Sequence, residues 1–256
     1  MQTQSRSRYS SVLFQLLAVI LLVATWQALV QFRIYRFGYI PSVPDVVLAA
    51  RSYLLSVEFF DDTVASTARV VAAWGLAAII AIPLGLMIGW KKVFGNLVFP
   101  TLELLRPIPP IAWIPAGILF IPNIEGSVVF ICFVGAFFPI LLNTMNGVRR
   151  IDQTYFRAAS CLGARPVEVF RDVVVRGAMP SVVIGLAIGM GIAWMALVAA
   201  EMIAGQHGLG YMMWQAYSLA QYPLIIVGMI VIGIIGAAMS ACIRLLGRNL
   251  VPWQKD

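Results

Sequence analysis

The sequence is built from apolar blocks, each about as long as a helix that crosses a lipid bilayer. Such a helix needs roughly 20 apolar residues, at about 1.5 Å per residue. Hydrophobic residues make up 61% of the 256 residues and charged residues only 11%, whereas a soluble domain carries roughly a quarter charged residues. The blocks leave room for about six spans with short loops. The sequence therefore predicts an all-α, polytopic membrane bundle without a soluble domain.

Six spans can be placed on these blocks. They lie at about residues 12–30, 64–90, 97–121, 128–148, 182–204 and 223–246. A Pro-containing turn at 41–44 opens a short helix at about 45–57, which we expect on the outer face. This divides the chain into an N-terminal part, residues 1–63, and a core, residues 64–250.

The basic residues indicate which way the chain crosses the membrane, because cytoplasmic loops carry an excess of Lys and Arg. The outer segments contain only Arg33, Arg36 and Arg51, with Arg69 at a span end. The inner segments contain Arg6, Arg8, Lys91, Lys92, Arg149, Arg150, Arg157, Arg165, Arg171, Arg176, Arg244, Arg248 and Lys255. We therefore expect a multi-pass membrane protein with both termini in the cytoplasm. The net charge of +7 then reflects orientation in lipid and not nucleic-acid binding.

Little in the sequence suits metal binding or catalysis. His207 is the only histidine, and the three cysteines are widely spaced, without a CxxC pair. The sequence contains no Gly-Lys pair and so lacks a Walker A phosphate loop. We expect no metal or cofactor on this chain. If ATP drives it, ATP and Mg²⁺ are bound by another subunit.

A polar segment at about 151–179 contains a predicted helix-turn-helix. Its first helix places Tyr155, Ala158, Ala159 and Leu162 on one face, at positions i, i+3, i+4 and i+7. Gly163 suits the left-handed position that ends a helix. Pro166 then suits the first turn of a second helix, at 167–175. Periodicity alone leaves two interpretations open: a protrusion that docks on another protein, or an amphipathic loop that rests on lipid headgroups.

Several motifs resemble those of binding-protein-dependent ABC importer permeases. Ala-Ala-x-x-x-Gly at 158–163 resembles the EAA loop of that family, and 176–180 resembles the segment that closes it. The stretches 103–115, 193–203 and 208–210 are similar to the nitrate/sulfonate/taurine subfamily. The resemblance runs from about residue 64 to the C-terminus. Two positions depart from it, since Arg157 stands where the family often has Glu, and Arg176 where it often has Pro.

The resemblance implies a type I permease fold with a cytoplasmic coupling helix, in a bacterial inner (plasma) membrane. It also implies two permease copies, two copies of an ABC ATPase and an external, periplasmic solute-binding protein. The residues it assigns to ATPase coupling are Tyr155, Arg157, Ala158, Ala159, Leu162, Gly163 and Arg165. Small oxyanions and organic anions such as nitrate, sulfonates, taurine and bicarbonate are the implied substrate class, with pyrimidine-like or aromatic compounds also represented.

The third span is the best sequence candidate for the substrate pathway. Prolines, including Pro109, remove helical N–H donors, and irregular backbone at membrane depth is tolerated where it faces protein or a water-filled cavity. Glu103 and Arg106 lie three residues apart. They either form a structural pair, the interpretation we favour, or leave Arg106 to an anionic substrate. Trp113 lies further along the same span.

Glu201 is an acid in an apolar run near the outer end of the fifth span. It either braces the loop at 205–210, which we favour, or acts as a gate or substrate contact. Trp113, Trp194 and Trp214 either line a cavity or, as we expect for most of them, pack and form interfacial belts.

Two other function classes fit the sequence less well. A stand-alone secondary transporter or channel needs ion-coupling groups in mid-span, and the sequence offers almost none. A membrane enzyme would need a metal-ligand cluster, a Ser/His pair or a nucleotide loop. Co-purification of a stoichiometric ATPase separates the permease from these alternatives.

Overall fold

The structure is a computed structural model that describes residues 2–32 and 40–250. Every regular element in these residues is a helix, in agreement with the predicted all-α fold. The helices are α1 (Gln2–Gln31), α2 (Val43–Leu54), α3 (Val57–Trp90), α4 (Lys92–Leu105), a 3₁₀ turn (Pro110–Trp113), α5 (Ile114–Phe120), α6 (Ile124–Arg149), α7 (Gln153–Cys161), α8 (Pro166–Ala204), α9 (Leu209–Ser218) and α10 (Tyr222–Leu250). Arg33, Arg36 and Lys255, which contribute to the predicted topology, lie outside the described residues.

The described residues form two compact units. One contains residues 2–32, 40–60 and 213–229, and the other contains residues 61–212 and 230–250. In the first unit α2 begins with a capping box, in which Ser42 and Asp45 satisfy each other's backbone N–H groups. The Gln27 side chain of α1 accepts a hydrogen bond from the Val43 N–H at 2.9 Å, which ties α1 to the start of α2. The predicted division of the chain at residue 63 stays a prediction.

Four helices are long and apolar enough to cross a membrane: α3, α6, α8 and α10. They coincide with predicted spans two, four, five and six. Two shorter apolar helical segments, Ile20–Gln31 and Pro110–Phe120, lie within predicted spans one and three. The chain is therefore a multi-pass membrane protein.

The predicted third span is divided into two helices by its prolines. α4 ends at Leu105, and the chain turns through 106–109 before the 3₁₀ turn and α5 begin. Pro107, Pro109 and Pro110 each lack an N–H, and each disfavours helical geometry in the residue before it. Pro115 falls in the first turn of α5, where a missing N–H costs nothing.

α6 packs against both α3 and α8 in the larger unit. Glycines bring the backbones close together. A Cβ at Gly85 would lie 2.8 Å from the Leu141 carbonyl oxygen, and one at Gly185 would lie 2.8 Å from Asn143 Cβ. These glycines thus allow close packing between neighbouring helices.

The helix-turn-helix differs from its prediction at the second helix. α7 ends as expected, with Gly163 in the left-handed region at a φ of 71°. However, the helix that begins at Pro166 continues without a break to Ala204, through a π-helical turn at Val169–Val175. The start of the membrane span near 182 stays a prediction, but the predicted break between a separate helix at 167–175 and the helix of the fifth span is wrong. The reason is that Val174, Ala178 and Val182, spaced by four, form one continuous buried face.

Candidate functional site

A cavity of about 690 Å³ lies among α4, α6, α8 and the turn before the 3₁₀ segment. Its volume is in the range of small-molecule sites, roughly 300–1,000 Å³. The polar and charged residues that line it are Glu103, Arg106, Asn143, Asn146 and Arg149. Pro139 and Gly135 also line it, and because Pro139 has no N–H, the Gly135 carbonyl lacks its usual helical donor. The cavity thus offers cations, amides and a free carbonyl in an otherwise apolar wall.

Glu103 and Arg106 both face this cavity, yet the structure forms no ion pair between them. The favoured prediction of a structural Glu103–Arg106 pair is therefore wrong for this conformation. α4 ends at Leu105, with Arg106 as its C-cap, so the two side chains stand at the point where the chain leaves the helix. Arg149 approaches from the end of α6, where its guanidinium lies 5.5 Å from the centre of the Phe99 ring.

The other pathway candidates lie apart from the cavity lining. Pro109 is exposed and precedes the 3₁₀ turn. Trp113 packs edge-on against Phe130, with ring centres 6.2 Å apart. Trp194 is 2% exposed and packs beside Gly236 of α10. Among the described residues, the indole N–H groups of Trp113 and Trp194 have no hydrogen-bond partner.

Glu201 lies at the opposite end of the larger unit from α7 and is fully buried. One of its carboxylate oxygens accepts a hydrogen bond from the Gly210 N–H at 2.8 Å, and Ser66 donates to both oxygens at 2.8 and 3.0 Å. The Ser66 hydroxyl also accepts the Leu209 N–H at 2.9 Å. Glu201 and Ser66 thus fix the start of α9 to α8 and α3.

Arg69 of α3 completes this network, and the sequence prediction did not include it. Its guanidinium donates to Glu201 at 2.6 Å and forms two bonds of 2.6 Å with Glu125 at the start of α6. It also donates to the His207 carbonyl at 2.9 Å. Arg69 therefore joins α3, α6, α8 and the 205–208 loop. The sequence did contain a signal for this network. Arg69 is a lone cation within the apolar run of α3, and such a cation needs an acidic partner at a similar depth in the membrane.

The 205–210 loop packs closely over the Glu201 carboxylate. Gly208 has a φ of 118°, and a Cβ there would lie 2.5 Å from Glu201 Oε1. The Gly208 N–H donates to Asp62 at 2.8 Å. Only glycine combines this backbone conformation with this approach to a buried carboxylate.

α7 presents most of its predicted docking residues to the exterior of the described chain. Tyr155 is 65% exposed and Leu162 87% exposed. Arg157, Ala158, Gly163 and Arg165 are exposed and Ala159 is half-buried. On the other face, Phe156 packs against the core cluster of α3, α6 and α8 that contains Val148 and Val174. A displacement of α7 would therefore act directly on three long helices.

The N-terminus of α7 is capped by Asp152, whose carboxylate accepts the Thr154 N–H at 2.8 Å. This hydrogen bond lowers the pKa of the Asp152 carboxyl below its ordinary value. After Gly163, the Arg165 N–H donates to the Glu168 carboxylate at 2.7 Å. Local capping thus defines the start of α7 at Asp152 and the start of α8 at Arg165.

Comparison with known proteins agrees with these features. Residues 81–256 match the family described as "Binding-protein-dependent transport system inner membrane component". A Methanocaldococcus jannaschii protein, provisionally described as an ABC transporter permease, is 41% identical over 76% of this chain and 73% of its own. The nitrate import permease protein NrtB of Synechocystis is 32% identical over 92% of this chain and 88% of its own. The taurine transport system permease protein TauC of Escherichia coli is 30% identical over 94% and 88%.

Membrane-length helices around a polar-lined cavity, without a nucleotide loop in the sequence, define an integral-membrane transport component. The chain belongs to the family of binding-protein-dependent transport system inner membrane components. It is a permease subunit of an ABC importer, of the nitrate/sulfonate/taurine subfamily.

Proposed function

We propose that this permease carries a small oxyanion or organic anion and that the cavity lined by Arg106 and Arg149 is part of its pathway. The observation that carries the proposal is the charge of that cavity. It contains two guanidinium groups and one carboxylate, and neither guanidinium has an ion-pair partner within the described residues.

Such an arrangement favours a small anion because planar guanidinium groups bind carboxylate-like and sulfonate-like oxygens in a bidentate manner. Asn143 and Asn146 add amide donors to the same wall. Glu103 disfavours a second negative charge and can accept a hydrogen bond from an amino group. The relatives named for nitrate and taurine import support this substrate class.

We further propose an orientation of the chain in the membrane and a set of partner subunits. Both termini face the cytoplasm, which places α7 and the Lys91–Lys92 pair on the inner side and the Glu201 network on the outer side. Two copies of this chain pair, and an external solute-binding protein delivers the substrate. Two copies of an ABC ATPase hold ATP and Mg²⁺, since the sequence has no phosphate loop.

α7 is proposed as the coupling helix that docks on the ATPase. The support is its exposed face at Tyr155, Ala158 and Leu162, combined with the anchoring of Phe156 in the core. We expect Ala159→Arg and Gly163→Asp to abolish uptake and substrate-stimulated ATP hydrolysis while membrane insertion is retained. Arg51→Gln, at an exposed cation of α2, is the control. Normal transport in both loop variants would count against α7 as the coupling element.

The pathway proposal is tested with the complete transporter in proteoliposomes. The substrates are nitrate and taurine, each presented with a binding protein that carries it. Arg106→Gln and Arg149→Gln should each reduce uptake by about tenfold or more, because a hydrogen bond to a charged group contributes about 1.5–3 kcal/mol. Assembly of either variant with the ATPase should be unchanged from that of the wild type. Uptake at the wild-type rate in both variants would remove the cavity from the pathway.

A stand-alone secondary transporter is the second function to exclude. Transport by the purified chain alone in liposomes without ATP would support it. Loss of transport on omission of the ATPase would support the importer.

A further inference from the structure

A second cavity of about 690 Å³ lies where α3 turns into α4 and α6 turns into α7. Its inner wall is apolar and includes Ile88, Val148 and Phe156. Lys92, Asn96, Arg149 and Gln153 supply its polar groups. The cavity is distinct from the proposed pathway, although Arg149 stands between the two and lines both.

Within the described part of the chain, no acidic side chain lines this cavity, and neither Lys92 nor Arg149 forms an ion pair. Lys91 precedes Lys92 in the chain, and its ammonium lies 4.0 Å from the centre of the ring of Trp90, which lines the cavity. Two cations, Lys92 and Arg149, therefore line the cavity without a carboxylate in its lining, and Lys91 is the adjacent residue in the chain. Their mutual repulsion falls when an anion binds between them.

The start of α4 adds to this preference for an anion. Lys91 is the N-cap residue, and its side chain makes no capping hydrogen bond. The first N–H groups of α4 therefore have no side-chain acceptor. An anion at this position would accept those hydrogen bonds and be favoured by the helix dipole.

We propose that this cavity binds the phosphate group of an anionic membrane lipid. Lys92 and Arg149 would contact the phosphate, and Asn96 and Gln153 would reach a polyhydroxyl headgroup such as glycerol. The apolar wall would accept the beginning of an acyl chain. Basic pockets at the ends of membrane helices recognise lipid headgroups in this way.

A lipid fits this cavity better than free phosphate because the helix that contributes Lys92 and Asn96 also exposes apolar side chains. Val93 is 85% exposed and Leu97 is 77% exposed, on the same helix as Lys92 and Asn96. A hydrated ion gains nothing from such apolar surface, whereas acyl chains cover it. The cations and the apolar side chains together match an amphipathic ligand.

Lipid retention tests the proposal directly. The full chain is placed in nanodiscs of phosphatidylcholine with or without phosphatidylglycerol, released into detergent, and its bound lipids are counted by native mass spectrometry. We expect wild type to retain phosphatidylglycerol selectively. Lys92→Gln and Arg149→Gln should each weaken retention about fivefold, the effect of one cation near an anionic lipid surface. Arg248→Gln, a matched exposed cation at the end of α10, should leave retention unchanged.

Trp90 provides a second measurement, because it lines the cavity. Brominated phosphatidylglycerol should quench part of the tryptophan fluorescence, and that part should be missing in Trp90→Phe. Inorganic phosphate should not relieve the quenching. Relief by inorganic phosphate would identify a free-anion site and overturn the assignment to lipid. Equal retention in Lys92→Gln, Arg149→Gln and wild type would overturn the site itself. Neither result depends on which solute the transporter carries.

Discussion

Arg69 Nη1 and Glu201 Oε1 lie 2.6 Å apart, although 132 residues separate them in the sequence. Arg69 is 5% exposed and Glu201 is fully buried. Each has further partners: Ser66 and Gly210 donate to Glu201, and Arg69 donates to Glu125. The pair lies where α3 and α8 meet the 205–210 loop. It is therefore a junction between long helices and the loop that follows α8.

Breaking this pair from one side should destabilise the protein strongly. Arg69→Met leaves the Glu201 carboxylate buried without its counter-charge, and loss of one partner from a buried pair costs about 3–5 kcal/mol. We expect a large fall in the thermal unfolding midpoint in detergent. Arg69→Met with Glu201→Gln should recover much of that loss, since no buried charge then remains unpaired.

The control for this pair is the comparison of the wild type, the two single variants and the double variant in a double-mutant cycle. If the two single substitutions simply add in the double variant, Arg69 and Glu201 are not energetically coupled, and the junction would not depend on their contact.

Gly208 should be intolerant of any side chain. Gly208→Ala places a Cβ against the Glu201 carboxylate, at a φ of 118° that alanine rarely adopts. We expect a loss of about 1–3 kcal/mol of stability and faster proteolytic cleavage of the 205–210 loop. Gly191→Ala in α8, where nothing lies within 4 Å of the added Cβ, is the matched control. Equal behaviour of the two variants would contradict the close packing of the loop on Glu201.

The sequence was sufficient to predict the class of fold but not these contacts. Apolar blocks define spans because bilayer thickness fixes helix length, and Gly163 identified the end of α7 correctly. The helix that begins at Pro166 was predicted to end near residue 175, separate from the fifth span, because Arg171, Asp172 and Arg176 make this segment polar. Tertiary packing of Val174 and Ala178 keeps it helical. The Arg69–Glu201 pair joins distant residues, and no local pattern reports which of several acids meets a given cation.

The close approach of α3 to α6 should make two glycines of one helix respond oppositely to the same substitution. Gly89→Ala would place a Cβ 2.6 Å from Val148 Cβ, which forces the helices apart and should cost about 1–3 kcal/mol. Gly75→Ala meets nothing within 4 Å and should be neutral or stabilising by up to about 1 kcal/mol, since alanine is the better helix former. Thermal unfolding of both variants in one detergent is the measurement. A stabilising Gly89→Ala would contradict the packing of α3 on α6.

The cap of α7 should respond to acid through Asp152. Because the Thr154 N–H lowers the pKa of the folded Asp152 carboxyl below its ordinary value of 3.8, the cap stabilises α7 fully above that value. Its contribution is lost as the pH falls through the lowered pKa. Amide hydrogen exchange in α7, corrected for intrinsic rates, should therefore accelerate in that acidic window. Asp152→Asn keeps an oxygen that can accept the Thr154 N–H but cannot titrate, so its α7 exchange should not change with pH there. The same acid response in Asp152→Asn would show that another group opens the helix, because the only property removed is the ionisation of this carboxyl.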